Sequence, residues 1–208
     1  MGYTAKGKRK WKSKRDRVLD PFILWVTLPF SALWLLSEIG ITAVTFSAKQ
    51  SKEFDDNSLN VMVGTTMSSV ALGIFLWTTK IGDIPIKTHF LPILGLLLMI
   101  FGITLRWVAI LTLKKYFSIN IAVESDHKLI RHGLYRFIRH PSYTGSLICF
   151  LGMGLSYSNC LSLLLMFFAP LLALVNRIRV EEKVLNRIFG NDYSDYASKT
   201  KKLLPWIY

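Results

Sequence analysis

Four long segments without a charged residue dominate the hydrophobic pattern of the 208-residue chain. They cover residues 21–37, 57–79, 88–105 and 141–176. A helix needs about 20 mostly apolar residues to cross roughly 30 Å of hydrocarbon. The first three segments therefore predict transmembrane helices, and these are expected at Phe22–Phe46, Leu59–Thr79 and Phe90–Leu111.

The fourth apolar segment is too long for a single span. Its 36 residues would form a helix about 54 Å long, nearly twice the thickness of the hydrocarbon core. A break at Ser156–Asn159 leaves two arms of 15 and 17 residues. We therefore expect an all-α integral membrane protein with about five transmembrane helices, the last two forming a tight helical hairpin. A hairpin also places residues 112–140 and 177–208 on the same face of the membrane.

Charge is concentrated outside the apolar segments. The chain is 51% hydrophobic and 19% charged, its net charge is +13, and eight basic residues lie between Lys6 and Arg17. A basic arm beside a membrane span favours contact with anionic lipid headgroups over nucleic acid. The chain divides into a basic arm (1–20), three transmembrane helices (21–111) and a candidate catalytic region (112–208).

The sidedness of these parts contains a conflict. Three spans put the arm and the loop 112–140 on opposite faces, although both are basic and basic segments favour the cytoplasm. We expect the candidate site to face the cytoplasm, and the side of the arm stays open.

Two ionisable residues lie within the predicted spans. Glu38 is interpreted either as a residue at the lipid interface or as a buried functional carboxylate, since intramembrane charges are often functional. Arg106 lies near the end of the third span. We expect its long side chain to extend to the interface.

The polar residues on both sides of the hairpin are candidates for chemistry. Arg139, His140 and Tyr143 flank the proline at which the chain enters the membrane, and Glu181 and Glu182 follow its exit. If the hairpin brings these ends together, they form a pocket with separate cation-binding and anion-binding ends, as a zwitterionic ligand requires. Phosphate-binding glycine-rich loops, metal-ligand spacings and nucleophile elbows are absent from the sequence, so no metal is expected.

Over roughly residues 105–208 the chain resembles the integral-membrane isoprenylcysteine carboxyl methyltransferase family and its phospholipid methyltransferase relatives. Several spaced motifs occur in the family's order around a hairpin of the right length. They are Arg139, His140, Pro141, Ser142, Tyr143, Thr144 and Gly145; Arg177, Arg179, Glu181, Glu182 and Leu185; Phe189, Gly190, Tyr193 and Tyr196; and Leu204 and Pro205.

The resemblance implies S-adenosylmethionine as the methyl donor, bound between the loop and the helix after the hairpin. It also implies a lipophilic or prenylated acceptor that enters sideways from the bilayer. The cofactor-binding residues it implies are His127, Leu129, Tyr135, His140, Pro141, Tyr143, Glu181 and Glu182. The catalytic residues it implies are Arg139, Arg177 and Glu182. A carboxylate suits the donor's ammonium group, and arginines suit a carboxylate.

Three alternatives stay open. Relatives with similar motifs methylate phospholipid amines, and an ammonium acceptor would first have to lose a proton. The ending from Leu204 to Tyr208 resembles NADPH-dependent sterol-type membrane reductases. A membrane scaffold that has kept the fold without catalysis is the third alternative.

Overall fold

The apolar segments form helices in the computed structural model, which describes residues 21–45, 57–85, 89–117 and 129–204. These residues contain a π-helical turn, six α-helices and two short 3₁₀ turns, with no β-strand among them. The elements are the π turn Ile23–Thr27, α1 (Leu28–Thr45), α2 (Ser58–Thr79), α3 (Phe90–Leu113), the 3₁₀ turns Lys114–Tyr116 and Gly133–Arg136, α4 (Pro141–Ser156), α5 (Cys160–Phe189) and α6 (Asn191–Lys199). The basic arm lies outside the described residues.

Four of the described helices are long and apolar enough to cross a membrane: Ile23–Ile41, which includes the π turn, and α2, α3 and α5. Helix α4 has 16 residues and is therefore about 24 Å long, shorter than the hydrocarbon core. The all-helical membrane class is confirmed, and so is the hairpin, because α4 ends at Ser156 and α5 begins at Cys160. The expected count of five spans is not confirmed.

Successive helices run in opposite directions. The ring of Phe22 stacks on His89, at the start of α3, and the hydroxyl of Ser31 lies 3.3 Å from that of Tyr157 in the hairpin turn. The chain therefore enters α1 at the face where α4 and α5 join. The loop before α4 and the end of α5 lie at the opposite face. The start of α1 and the basic loop therefore lie on opposite faces of the membrane, as the three predicted spans required.

Helices α3 and α4 approach each other through two pairs of glycines. Gly102 faces Gly145, and Gly95 faces Gly152. An ideal Cβ on Gly102 would lie only 2.6 Å from the carbonyl oxygen of Gly145. Small residues allow membrane helices to pack backbone against backbone, so this pair of helices forms a close backbone contact beside the site.

The hairpin turn is fixed by one side chain. Asn159 donates hydrogen bonds of 2.9 Å to the backbone carbonyl of Ile81 and to the carboxylate of Asp83. Its side-chain oxygen accepts a hydrogen bond of 2.9 Å from the backbone N–H of Ser162 and thereby caps α5. The turn is thus attached to the segment between α2 and α3, which sets where both arms begin.

We predict that Gly145→Ala destabilises the protein while Gly64→Ala does not. The new methyl group on α4 would lie 2.6 Å from the carbonyl oxygen of Gly102, and overpacking of this kind costs about 1–3 kcal/mol. Gly64, on α2, has nothing within 4 Å of the same position. The measurement is the midpoint of thermal unfolding in detergent, and equal midpoints for the two variants would contradict the close contact.

Candidate active site

A cavity of about 570 Å³ lies between the first two helices and the hairpin. This volume is typical of sites for small molecules. Its polar end is lined by Tyr135, Arg139, His140, Tyr143, Glu181, Tyr193 and Tyr196. Its apolar end is lined by Trp34, Leu35, Ile39, Met62, Val63 and Phe150. The cavity therefore offers a charged and a hydrophobic compartment that are continuous with each other.

Backbone hydrogen bonds hold the loop before α4 against the chain after α6. The N–H of Arg139 donates to the carbonyl of Lys201 at 2.7 Å, and the N–H of His140 donates to that of Lys202 at 3.0 Å. Pro141 is the first residue of α4 and is buried. A proline is tolerated there because the first helical N–H has no partner within the helix. These bonds direct the side chains of Arg139 and His140 toward the end of α5. This agrees with the prediction that the hairpin brings the loop before it and the chain after it to the same face.

Glu182 is the centre of an ionic cluster. Its carboxylate lies 2.8 Å from Nε of Arg139 and 2.9 Å from Nζ of Lys202, and one of its oxygens lies 3.3 Å from Nε2 of His140. Arg139 also donates to the carbonyls of Ala197 and Thr200. The cluster joins α5, the loop and the C-terminal segment. Arg139 and His140 belong to the cavity lining, and Glu182 does not.

Glu181 is the carboxylate that lines the cavity. It accepts a hydrogen bond of 2.8 Å from the hydroxyl of Tyr143, and it lies 3.9 Å from Nδ1 of His140. The rings of His140 and Tyr143 stack at 5.6 Å with an interplanar angle of 14°. A carboxylate held in this way is placed to bind a cationic group.

Arg177 lies behind the cavity lining. Its side chain is 1% exposed and donates a hydrogen bond of 2.7 Å to the hydroxyl of Ser58 on α2. The structure thus places one of the three predicted catalytic residues, Arg139, in the cavity lining and two behind it. The catalytic roles of all three stay predictions.

Most of the predicted cofactor-binding residues converge on the polar end. Leu129, Tyr135, His140, Tyr143 and Glu181 all line the cavity. Pro141 is the first residue of α4 and does not line the cavity. Glu182 lies in the ionic cluster described above. His127 lies outside the described residues.

Two tyrosines of α6 complete the polar end and were not among the predicted binding residues. Burial raises the pKa of Tyr193 well above its ordinary value, and the Glu182 carboxylate raises it further. Burial raises the pKa of Tyr196 to about 12. Both phenols therefore keep their protons at neutral pH. The sequence signal was their spacing, since residues three apart on a helix share a face.

The expectation that Arg106 extends to the interface is wrong. The residue is 9% exposed, and its Nη2 lies 2.6 Å from the carboxylate of Glu38. Its Nη1 donates hydrogen bonds of 2.9 Å to the hydroxyls of Ser142 and Ser146. The close contact of α3 and α4 brings these hydroxyls within reach of Arg106. Its guanidinium therefore pairs with groups of the protein and does not extend to water at the interface.

Glu38 is therefore a partly buried carboxylate paired with Arg106, and a functional role for it stays a prediction. Glu38 and Arg106 both line the cavity, between its polar and apolar ends. A signal was present in the sequence, because each residue lies 16 positions after the start of its predicted span.

Comparison with known proteins points to one family. The model of the isoprenylcysteine carboxyl methyltransferase family matches residues 94–187. A probable protein-S-isoprenylcysteine O-methyltransferase of Oryza sativa subsp. indica is 38% identical over 120 residues, which are 57% of this chain and 63% of that protein. The protein-S-isoprenylcysteine O-methyltransferase of Saccharomyces cerevisiae is 37% identical over 130 residues, or 62% and 54% of the two chains.

A solved structure agrees with these matches. The eukaryotic intramembrane Ras methyltransferase, an isoprenylcysteine carboxyl methyltransferase, superposes with a TM-score of 0.61 at 25% identity. The superposition covers 87% of this chain and 65% of that one. The chain spans less than two thirds of the length of these relatives. The resemblance seen in the sequence is confirmed.

We predict that Glu38→Ala lowers stability by about 3–5 kcal/mol, because it leaves the buried guanidinium of Arg106 without its carboxylate. The double variant Glu38→Met with Arg106→Met should lose less, since replacing both charges by apolar groups removes the unpaired charge. Thermal unfolding in detergent of the two variants and the parent tests this. A double variant that is less stable than Glu38→Ala would show that the pair contributes little through its charges.

Proposed function

We propose that this chain, which matches the model of the isoprenylcysteine carboxyl methyltransferase family over residues 94–187, transfers a methyl group from S-adenosylmethionine to the carboxylate of an isoprenylcysteine. The observation that carries the proposal is that one cavity has both a charged and a hydrophobic end. A polar donor and a lipophilic acceptor can meet in such a cavity.

The polar end fits the methyl donor. Glu181 is suited to the ammonium of its amino-acid part, while Arg139 and His140 are suited to the carboxylate. The aromatic rings of Tyr135 and Tyr143 suit the adenosine. The hydroxyl of Tyr193 is buried and without a hydrogen-bond partner among the described residues, as expected of a site that binds a polar ligand.

When bound, S-adenosylmethionine supplies an electrophilic methyl carbon. The bond from this carbon to the acceptor oxygen forms as its bond to sulfur breaks, and the electron pair stays on sulfur.

The apolar end fits an isoprenyl chain. Leu35, Ile39 and Val63 line the cavity and are at least one third exposed on the outer surface of α1 and α2. In a membrane this surface faces lipid, so a lipophilic chain can enter between the two helices without crossing water.

The protein's contribution to such a transfer is alignment and exclusion of water. An acceptor carboxylate with a pKa of about 4 is already ionised at neutral pH, so no base is required. Holding two reactants at near-attack distance accounts for a large part of the rate in displacements of this kind. The Glu182 cluster holds Arg139 and His140 in place, and Glu38 with Arg106 lines the junction between the two ends.

We further infer that the site faces the cytoplasm. Arg131, Arg136, Lys199 and Lys201 are exposed on the same face as the site, and basic residues beside spans favour that side.

The direct test is methyl transfer to N-acetyl-S-farnesylcysteine by the purified protein, together with the Glu181→Gln variant. Loss of the carboxylate should weaken binding of S-adenosylhomocysteine by about 1.5–3 kcal/mol, the range for hydrogen bonds to charged groups, measured by calorimetry. Asp195→Asn, an exposed acidic residue paired with Lys199, is the control and should bind normally. Heat from NADPH with none from S-adenosylhomocysteine would refute the proposal and favour a reductase.

The pH dependence distinguishes the class of acceptor. With a carboxylate acceptor, kcat should be nearly constant between about pH 6 and pH 9, because the acceptor is ionised throughout this range. An amine acceptor would instead give a kcat that rises with pH as its ammonium group loses a proton. A rising profile, accompanied by transfer to phospholipid amines, would contradict the assignment of the acceptor.

A further inference from the structure

The hydroxyl of Tyr193 is a buried, unsatisfied polar group on a residue that lines the cavity. Tyr193 lies on α6, is 4% exposed and lines the polar end. Its hydroxyl is buried, and no described group forms a hydrogen bond with it. Buried polar groups are almost always paired, and one that is not requires an explanation.

Tyr196 provides an internal comparison. It lies three residues later on the same helix, is also buried and lines the same cavity. The two rings form an edge contact with centroids 6.2 Å apart. The hydroxyl of Tyr196, however, donates a hydrogen bond of 2.7 Å to the backbone carbonyl of Tyr135. One tyrosine therefore supports the loop, while the other has a hydroxyl that the described protein does not use.

The surroundings of Tyr193 favour a neutral donor. Burial raises the pKa of its phenol, so the proton stays on the oxygen. The charged groups that act on it are Glu182, Glu181 and Arg139. Glu182 is bound to Arg139, His140 and Lys202, and Glu181 accepts from Tyr143. An acceptor for the phenol is therefore expected from a ligand in the cavity.

We propose that Tyr193 donates a hydrogen bond to an oxygen of the bound methyl donor. The inference rests on the proposed function, in which the polar end holds the amino-acid and ribose parts of S-adenosylmethionine. Those parts carry carboxylate and hydroxyl oxygens, whereas the isoprenyl chain of the acceptor offers none. Tyr193 is then a ligand-binding residue. Its unpaired hydroxyl destabilises the empty protein, and binding of the donor offsets this destabilisation.

The test compares Tyr193→Phe with Tyr196→Phe, since both substitutions keep the ring and remove only the hydroxyl. In Tyr193→Phe, the unfolding midpoint of the ligand-free protein should stay the same or rise, because an unpaired buried group is removed. Its affinity for S-adenosylhomocysteine should fall about tenfold, the loss of one hydrogen bond of typical strength. In Tyr196→Phe the midpoint should fall, because the lost bond is internal, whereas in Tyr193→Phe it should not.

Four results would overturn this inference. An unchanged affinity of Tyr193→Phe, with normal binding by the parent protein, would remove Tyr193 from the donor site. A lower midpoint of the ligand-free variant would show that the hydroxyl has a partner within the protein. A raised KM for N-acetyl-S-farnesylcysteine with unchanged affinity for S-adenosylhomocysteine would assign the hydroxyl to the acceptor instead. Absence of S-adenosylhomocysteine binding by the parent protein would refute the proposed function itself, and this inference with it.

Discussion

The backbone contact between α3 and α4 is the constraint on which the site depends. Gly102 and Gly145 let the two helices approach until no Cβ would fit between them. At this distance the guanidinium of Arg106 reaches Ser142 and Ser146. Because Arg106 is held there, Glu38 has a buried cation to pair with. The glycine contact therefore positions the cation that pairs with α1, and α1 forms one wall of the cavity.

Two charge networks stabilise different parts of the molecule. The pair of Glu38 and Arg106 lies within the helical bundle, where an unpaired charge would be very costly. The cluster around Glu182 lies beyond the apolar part of α5 and joins three segments that are distant in sequence. Its carboxylate is occupied by cations of the protein itself. This occupation leaves Glu181, the neighbouring residue, as the carboxylate that lines the cavity.

The continuity of the polar and apolar ends is the feature that relates the fold to the proposed reaction. In that proposal a lipophilic acceptor would reach the site through the surface of α1 and α2, and the polar donor would be bound by residues of the loop, α5 and α6. Neither partner has to pass through the compartment of the other. The polar compartment is built from segments on either side of the hairpin, because the hairpin brings residues 129–143 and 177–204 to one face.

The sequence by itself determined the membrane-spanning helices, the break at Ser156–Asn159 and the meeting of the loop with the chain after the hairpin. These features follow from local periodicity, from the fixed rise of a helix and from the parity of a hairpin. Only the tertiary structure decided that Arg106 binds Glu38 and that Glu181, rather than Glu182, lines the cavity. It also decided that Arg177 lies behind the cavity lining and that the hydroxyl of Tyr193 has no partner among the described residues. Each of these depends on the distance and rotation between helices far apart in the chain, which periodicity within one segment does not specify.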